Sequence, residues 1–471
     1  MEWYYLMKTD ILLIYPPFHR LYGEKKEWMP LGILTLAAYL NQNGIHAVAY
    51  NADCSTLDEP ETVMTYKERF SLAQNYQPML KSDSYIWDEY KQVLLETNPT
   101  VVGMTVLTEA IGSVKKLVQM TRAFNDEIVI ILGGQHAEID PVLLLKEVSC
   151  DFVIQGEGEI PLLKLMKNII LGSNEEEDLI EIEGLCYYRD GIFQRNAGTS
   201  RLDVDALPIP KLENHYDFQR YKKIGKKLSV ATSRGGCIYS CSFCYCSKFR
   251  DKILWRTPRS VFDEISYYVN TYKTKKIFFI DDTFTCNREM VVDLCYLFIE
   301  NDIPIEWTCT THVNRLDQEL LSLMKRAGCS SIHIGAESGS NRLLSLMNKS
   351  VKASEILSAS KAIKKSGIEC RTFFMVGLPT ESKCDIKMSI DLLKRIAPDE
   401  AILNIYVPIP QTAFFDYIKQ HYFDITTIDW LTFSRNAVPY EKYMDHSFGD
   451  VSEAISELFD LVESINSQKG T

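Results

Sequence analysis

The sequence predicts an α/β chain made of two successive units. A Rossmann-like doubly wound parallel sheet comes first, then a partial (β/α)6 barrel of TIM type, then a short helical C-terminal tail. Two observations carry this. Short apolar runs alternate with helical patterns twice, once before residue 172 and again from Leu228, as parallel strands joined by crossover helices require. Between the two series lies Asp203–Asp217 (DVDALPIPKLENHYD), which holds two prolines and little periodicity, as a linker does. At roughly 150 residues per domain, a length of 471 allows about two to four domains.

In the first unit, Asp10–Tyr15 (DILLIY) reads as a buried strand closed by Pro16 and Pro17. Leu31–Gln42 has helical spacing and stops at Asn43-Gly44. Strands follow at Ile45–Tyr50, Thr100–Thr105, Ile128–Leu132 and Phe152–Gln155, with helices at Glu109–Asn125, Asp140–Val148 and Glu159–Leu171. Residues 51–90 read as an insertion with one or two helices. Ser173–Asp178 is a charged break, and 180–195 read as a hairpin turning at Asp190-Gly191. Open parallel sheets bind ligands at the carboxyl ends of their strands. The loops to watch are therefore Pro16–Pro30, Thr105–Thr108, Gly133–His136 and Gln155–Glu159.

In the second unit, strands are expected at Leu228–Ser233, Ile277–Asp281, Ile305–Thr310, Ser331–Gly335, Cys370–Val376 and Ala401–Val407. Helices are expected at Pro258–Tyr272, Arg288–Asn301, Gln318–Ala327, Ala353–Ser366 and Ser382–Ile396. A barrel site also sits at the carboxyl ends of its strands. The tail from Phe423 ends in an amphipathic helix near Val451–Ile465. The boundaries are 9–172 for the first unit, 173–222 for the hairpin and linker, 223–412 for the barrel and 413–471 for the C-terminal extension.

Composition narrows the function. Hydrophobic residues at 46% and charged residues at 24% are ordinary for a globular protein. A formal charge of −12, with no stretch that interleaves aromatic and basic residues, argues against nucleic-acid binding. No apolar run reaches the ~18–20 residues of a membrane span. The N-terminus lacks a basic region and a small-residue cleavage site, so a cytoplasmic location is expected. The unusual feature is the thirteen cysteines, which in a reducing compartment read as metal or redox ligands where they cluster.

They cluster once. Cys237, Cys241 and Cys244 form C-x3-C-x2-C within RGGCIYSCSFCYCSKF, directly after the first barrel strand. Three thiolates on a short loop can hold an iron–sulfur cluster that usually takes four, leaving one iron open and reactive. Zinc, with Cys246 as a fourth thiolate, is the competing reading; it lacks the second C-x2-C knuckle that structural zinc sites pair with the first. The other cysteines are scattered and read as small buried hydrophobes.

With Phe243 before its last cysteine, the motif resembles that of the radical S-adenosylmethionine (SAM) superfamily, and further segments extend the likeness over about residues 228–412. The resemblance implies a 4Fe–4S cluster on Cys237, Cys241 and Cys244, its open iron chelated by SAM, and reductive cleavage of SAM to a 5′-deoxyadenosyl radical. It places Asp281 or Asp282, in IFFIDDTF, at the SAM amino group, with the other acid capping the next helix. Glu337 and Ser338 match a position near the SAM ribose and carboxylate. Gly377, in FFMVGLPTES, would let the backbone approach adenine. Arg256 matches a basic residue near SAM, with an ordinary surface charge as the equal alternative.

The first unit resembles the cobalamin-binding-type domain joined to such barrels, through PPFHRLYGEKKEWMPLGILTLAAYL, GGQH and DFVIQGEGE, over about residues 9–172. Bound cobalamin would lie against Gly133 and Gly134, with Thr105 and Thr108 near its polar tail and Gly156 and Gly158 turning beside it. His136 is expected to be structural. The Asp-x-His-x-x-Gly ligand pattern of many cobalamin proteins is absent: His19 and Gly23 stand as His-x3-Gly with Pro17 in the aspartate's place, so His19 is not expected to bind cobalt.

The resemblance implies a cobalamin-dependent methyltransferase acting on an unactivated carbon of a small molecule or peptide, served by an electron donor such as a flavodoxin or ferredoxin. A radical SAM oxidoreductase, cyclase or rearrangement enzyme using the first unit as scaffold is the alternative, and a non-catalytic metal-binding protein a remote one. No residue is singled out as acid, base or radical donor.

Overall fold

The computed structural model describes residues 8–23, 29–54, 80, 84–172, 176–198, 202–219, 227–422 and 448–467. Of the insertion read over 51–90, residues 55–79 and 81–83 lie outside the described residues, and a helix at Tyr85–Thr97 closes it; 173–175 of the charged break, 220–222 at the end of the linker and 423–447 at the start of the tail also lie outside them. The chain divides into two compact units, one mainly before Ile224 and one mainly from Gly225.

The first unit is a seven-stranded sheet in the order β2-β1-β3-β4-β5-β6-β7. Its strands are β1 (Ile11–Tyr15), β2 (Ala47–Asn51), β3 (Val101–Thr105), β4 (Val129–Gly133), β5 (Phe152–Ile154), β6 (Leu185–Arg189) and β7 (Ile192–Arg195). The first five pair in parallel, and β6 and β7 add to β5 antiparallel. The hairpin assigned above to the connection is thus an edge of the first sheet. It turns at Asp190 (φ 48) and Gly191 (φ 76), the backbone signs a tight two-residue hairpin needs.

Ile11, Leu12, Ile14, Val101, Val102, Ile130 and Leu132 are fully buried, so the central strands are covered on both faces. The strand order reverses between β1 and β3, which places the crevice at the carboxyl ends of those two strands. The helix expected over 140–148 is broken. Asp140 caps a short turn at Pro141–Leu143, and a π-helical turn at Leu144–Val148 runs into Ser149 at φ 66. The linker is partly bound: His215 Nε2 accepts from Asn51 N at 2.9 Å and bridges to β2.

The second unit is a six-stranded sheet in the order β15-β14-β13-β12-β11-β8, parallel throughout. Its strands are β8 (Lys227–Val230), β11 (Lys276–Phe279), β12 (Glu306–Thr311), β13 (Cys329–Glu337), β14 (Glu369–Val376) and β15 (Glu400–Ile405). The first expected strand stops early, at Val230, and a two-residue ribbon of β9 (Ser233–Arg234) and β10 (Leu254–Trp255) follows. Leu228, Val230, Ile277, Phe279, Trp307, Ile332 and Phe374 are buried beneath the helices.

Residues on the opposite face sit between strands that curl. The Phe278 ring on β11 and the His333 ring on β13 lie 5.7 Å apart although β12 runs between their strands. That face is therefore concave, as in an open barrel.

The helix Phe448–Ser467 covers the β15 edge. Asn466 donates through Nδ2 to the Ala401 carbonyl at 2.8 Å and accepts from the Ala401 N–H at 3.0 Å, as a further strand would. Asn466→Ala leaves both backbone groups without partners. It should cost about 1–3 kcal/mol, read as a lower urea midpoint with an unchanged m-value.

Candidate active site

The three cysteines lie on the connection between β9 and the 3-10 turn at Tyr245–Lys252. All are half-buried free thiols. The connection starts from a fixed point. Asp281, just past β11, accepts from Thr232 N at 2.9 Å, Thr232 Oγ1 at 2.9 Å and Ser233 Oγ at 2.5 Å. Burial pushes the Asp281 carboxyl up, and these donors pull it back toward the charged form. One carboxylate therefore ends β8, turns the chain and aims the loop.

Further ties hold the loop from several elements. Cys237 Sγ is 3.3 Å from Thr283 Oγ1. The Tyr239 ring stacks on His312 with centroids 3.9 Å apart, and its hydroxyl accepts from Arg315 Nε at 3.0 Å. Ser242 donates to the Met347 carbonyl at 2.8 Å, and Asn348 Nδ2 donates to the Ser240 carbonyl at 2.9 Å. Phe243 is half-buried within this segment.

A charge pair backs it. Lys349 Nζ lies 2.9 Å from Glu337 Oε1, with both side chains about nine-tenths buried. Glu337 ends β13 at φ 61, where the register to β14 shifts, so a side chain is held in left-handed backbone at a strand end. Burial raises the Cys241 thiol to about 11, against the pull of the Lys349 ammonium. Cys244 is held below the usual thiol range by a hydrogen bond from Cys246, whose own thiol is raised by donating it.

This donor set fits a 4Fe–4S cluster. A cluster's thiolates each take a different iron and stand apart around it, whereas zinc draws four donors to a point. Cys246 is engaged as a donor to Cys244, and Lys349 supplies positive charge to an otherwise anionic set.

The other expected SAM residues separate. Asp281 is the buried clamp just described, while Asp282 is exposed and acts on Cys246 and Cys244. Ser338 is fully buried, 3.3 Å from Ser389 Oγ, and accepts from Ser340 N. Arg256 is no surface charge. It pairs with Glu264 and also donates to Ala231 O and to Ser260, bracing the helix Pro258–Tyr272. Gly377 follows β14 at φ 80 and donates to Glu381 Oε2 at 2.6 Å. Glu381 is fully buried, its Oε1 has no hydrogen-bond partner among the described residues, and burial raises it to about 8. Lys349 and Glu381 were not read from the sequence. A lysine inside the apolar stretch LLSLMNKSV was the available signal for the first.

In the first unit, the expected cofactor loops do sit at the strand ends. Gly134 is accounted for by packing: a Cβ there would meet Thr105 Oγ1 at 2.6 Å, so Thr105 and Gly134 serve each other. Thr108 is not free for a ligand either, because its hydroxyl lies 3.1 Å from His136 Nδ1 in the interior. Burial pulls His136 down to about 4, so its ring is neutral. Gly133 has open space, with only Ile154 O at 3.6 Å from a Cβ. Gly156 turns at φ 84 and donates to Glu138, and Gly158 packs on Leu36. His19 Nδ1 lies 2.8 Å from Asp53 Oδ2, a contact with no local sign in the sequence.

Two expectations follow. Asp281→Ala strands the Thr232 and Ser233 donors; it should lower stability by about 1–3 kcal/mol and reduce iron and sulfide bound per chain. Glu381 keeps its proton in the folded chain between about 4.5 and 8, where the unfolded chain has released it. Stability should therefore fall as pH rises through that window. Glu381→Gln, neutral throughout, should flatten the fall in melting temperature between pH 5.5 and 8.5.

Comparison with known proteins bears on the two units and their fold. Residues 233–393 match the family model of the Radical SAM superfamily, and residues 79–166 match that of the B12 binding domain. An uncharacterized methyltransferase of Pyrococcus horikoshii is 28% identical over 342 residues, 71% of this chain and 73% of that protein. The anaerobic magnesium-protoporphyrin IX monomethyl ester cyclase of Rubrivivax gelatinosus is 25% identical over 433 residues, 90% of this chain and 72% of that one. Among solved structures, the radical S-adenosylmethionine methyltransferase TsrM from Kitasatospora setae, with cobalamin and a [4Fe-4S] cluster bound, superposes with a TM-score of 0.66 at 16% identity. The match covers 88% of this chain and 78% of TsrM.

Proposed function

We propose that this chain, a radical SAM enzyme with a B12 binding domain, is a cobalamin-dependent methyltransferase acting on an unactivated carbon of a small molecule or peptide. The observation that carries it is the loop of three free, half-buried thiols at the carboxyl ends of a six-stranded open barrel, in a chain whose first unit matches the B12 binding domain. When loaded, these groups supply a 5′-deoxyadenosyl radical and a transferable methyl group.

The chain's own residues do the rest. Cys237, Cys241 and Cys244 hold the cluster. Lys349 offsets the negative charge of Cys241 and Cys244, and Glu337 fixes Lys349. Asp282, exposed beside the loop, is the carboxylate we assign to the SAM ammonium. Gly377 offers side-chain-free backbone for adenine, Phe243 shields the cluster, and Ser338 orients the turn that carries Glu337. We assign Arg256 and Asp281 to bracing. Thr105, Gly133, Gly156 and Gly158 frame the cobalamin in the first unit, with Gly134 fixing Thr105. A flavodoxin or ferredoxin of the reducing cytoplasm supplies electrons. No helix among the described residues is long and apolar enough to cross a membrane.

One observation favours a second reading. The relative that aligns with 90% of this chain is named a cyclase, so radical chemistry without methyl transfer stands as the alternative. Anaerobic incubation of the holoenzyme with substrate candidates and methyl-deuterated SAM separates the two. Methylation predicts 5′-deoxyadenosine, S-adenosylhomocysteine and a product heavier by a labelled methyl group. Formation of 5′-deoxyadenosine with an unlabelled product and no S-adenosylhomocysteine would establish the alternative. Replacing any one of the three cysteines by alanine should reduce SAM cleavage to background in either case.

A further inference from the structure

Lys349 follows a turn that hydrogen bonds clip directly to the cysteine loop. Ser242 donates through its backbone N–H to the Met347 carbonyl at 2.8 Å and through Oγ to the Leu346 carbonyl at 3.1 Å. Asn348 Nδ2 donates to the Ser240 carbonyl at 2.9 Å. The Lys349 carbonyl lies 3.2 Å from His312 Nε2, and the His312 ring stacks on Tyr239 of the loop. Asn348 (φ 53) and Ser350 (φ 57) flank the lysine in left-handed backbone, as does Glu337 (φ 61), which meets its ammonium. Left-handed backbone is costly for residues that carry a side chain, and such strain gathers where a side chain must be aimed.

The pair lies across β13. A Cβ on Gly335 would meet Lys349 Nζ at 2.7 Å and run into Glu337 Oε1, so the absence of a side chain there leaves the pair its place. Burial presses the Lys349 ammonium toward neutrality, but Glu337, Cys241 and Cys244 together outweigh it, so the lysine keeps its proton. At Cys241, after burial itself, the pull of Lys349 is the largest influence and exceeds the opposing push of Glu337. The ion pair therefore turns its positive end to the loop.

We infer that Lys349 sets the reduction potential of the cluster: its ammonium favours the one-electron-reduced form, and Glu337 is the positioning residue that holds the ammonium and partly offsets it. A cluster bound by thiolates is anionic, the electron it accepts makes it more so, and its potential follows net charge. A fixed cation in a medium of low dielectric lowers the cost of that electron. The electron comes from a low-potential donor of the flavodoxin or ferredoxin class and rests on the cluster iron; no bond forms or breaks in this step. The inference rests on the assignment of the cluster to Cys237, Cys241 and Cys244 and is independent of methyl transfer.

The test uses the full chain reconstituted with iron and sulfide, without SAM, and titrated with dithionite and redox mediators while electron paramagnetic resonance follows the reduced cluster. Lys349→Met should lower the ratio of reduced to oxidised cluster at a fixed potential roughly tenfold, a fall of about 59 mV in the one-electron midpoint. Lys349→Arg, which keeps the charge, should restore the wild-type midpoint. Glu337→Gln, which keeps the shape and removes the offsetting charge, should raise it. A Lys349→Met midpoint at or above that of the wild type overturns the inference, and so does a Glu337→Gln midpoint that stays put or falls. Where Lys349→Met binds no iron, the Glu337→Gln midpoint decides. A wild-type chain that gives no cluster signal removes the cluster assignment and the inference together, whereas a cluster whose midpoint ignores both substitutions removes the inference alone.

Discussion

The Asp281 carboxylate is the constraint from which the rest of the barrel site follows. A parallel strand that must end and release a loop toward the barrel mouth leaves backbone donors with no sheet partner. Asp281 collects one backbone and two hydroxyl donors from Thr232 and Ser233. Burial pushes this carboxyl up, and its three donors, standing in for water, pull it back toward the charged form. Thr283, two residues on, then comes within reach of Cys237. The position of the first thiol is therefore set by the register of β8 against β11 and by this one side chain.

The second layer of support is electrostatic. Three thiolates gathered without counter-charge would repel one another and resist losing their protons. Burial makes this worse for Cys241. Lys349 opposes it from inside the protein, where an ammonium acts with little screening. That ammonium is itself costly to bury and persists because Glu337 accepts it at 2.9 Å. The left-handed backbone at Glu337 is the local strain that keeps the pair in register with the loop.

Much of this was legible in the sequence, for a physical reason. Helices such as Leu31–Gln42, Glu159–Leu171 and Pro258–Tyr272 begin and end where the residue pattern places them, because periodicity and terminal signals are local. The cysteine loop is legible for the same reason, since its three thiols sit within eight residues. What failed was partnership across the fold. Two adjacent aspartates look alike in IFFIDDTF, and only the ends of β8 and β11 make Asp281 a clamp and leave Asp282 exposed. Arg256 shows no sequence sign of Glu264, which waits two helical turns further on. Thr108 looked available until the fold brought His136 against it.

The same distinction decides what a missing motif means. A local pattern records a ligand and its partner only when both come from one segment. In this sheet β2 lies beside β1, so a side chain at the end of β2 reaches the loop after β1 as readily as one two residues away along the chain. Pro17, standing where an aspartate would be, makes the loop look ligand-free in sequence. In space Asp53 stands beside His19 and accepts from the Phe18 and Arg20 backbone N–H groups, holding the loop on both sides of the histidine. The sheet order brings a carboxylate from the end of the adjacent strand to the histidine of this loop.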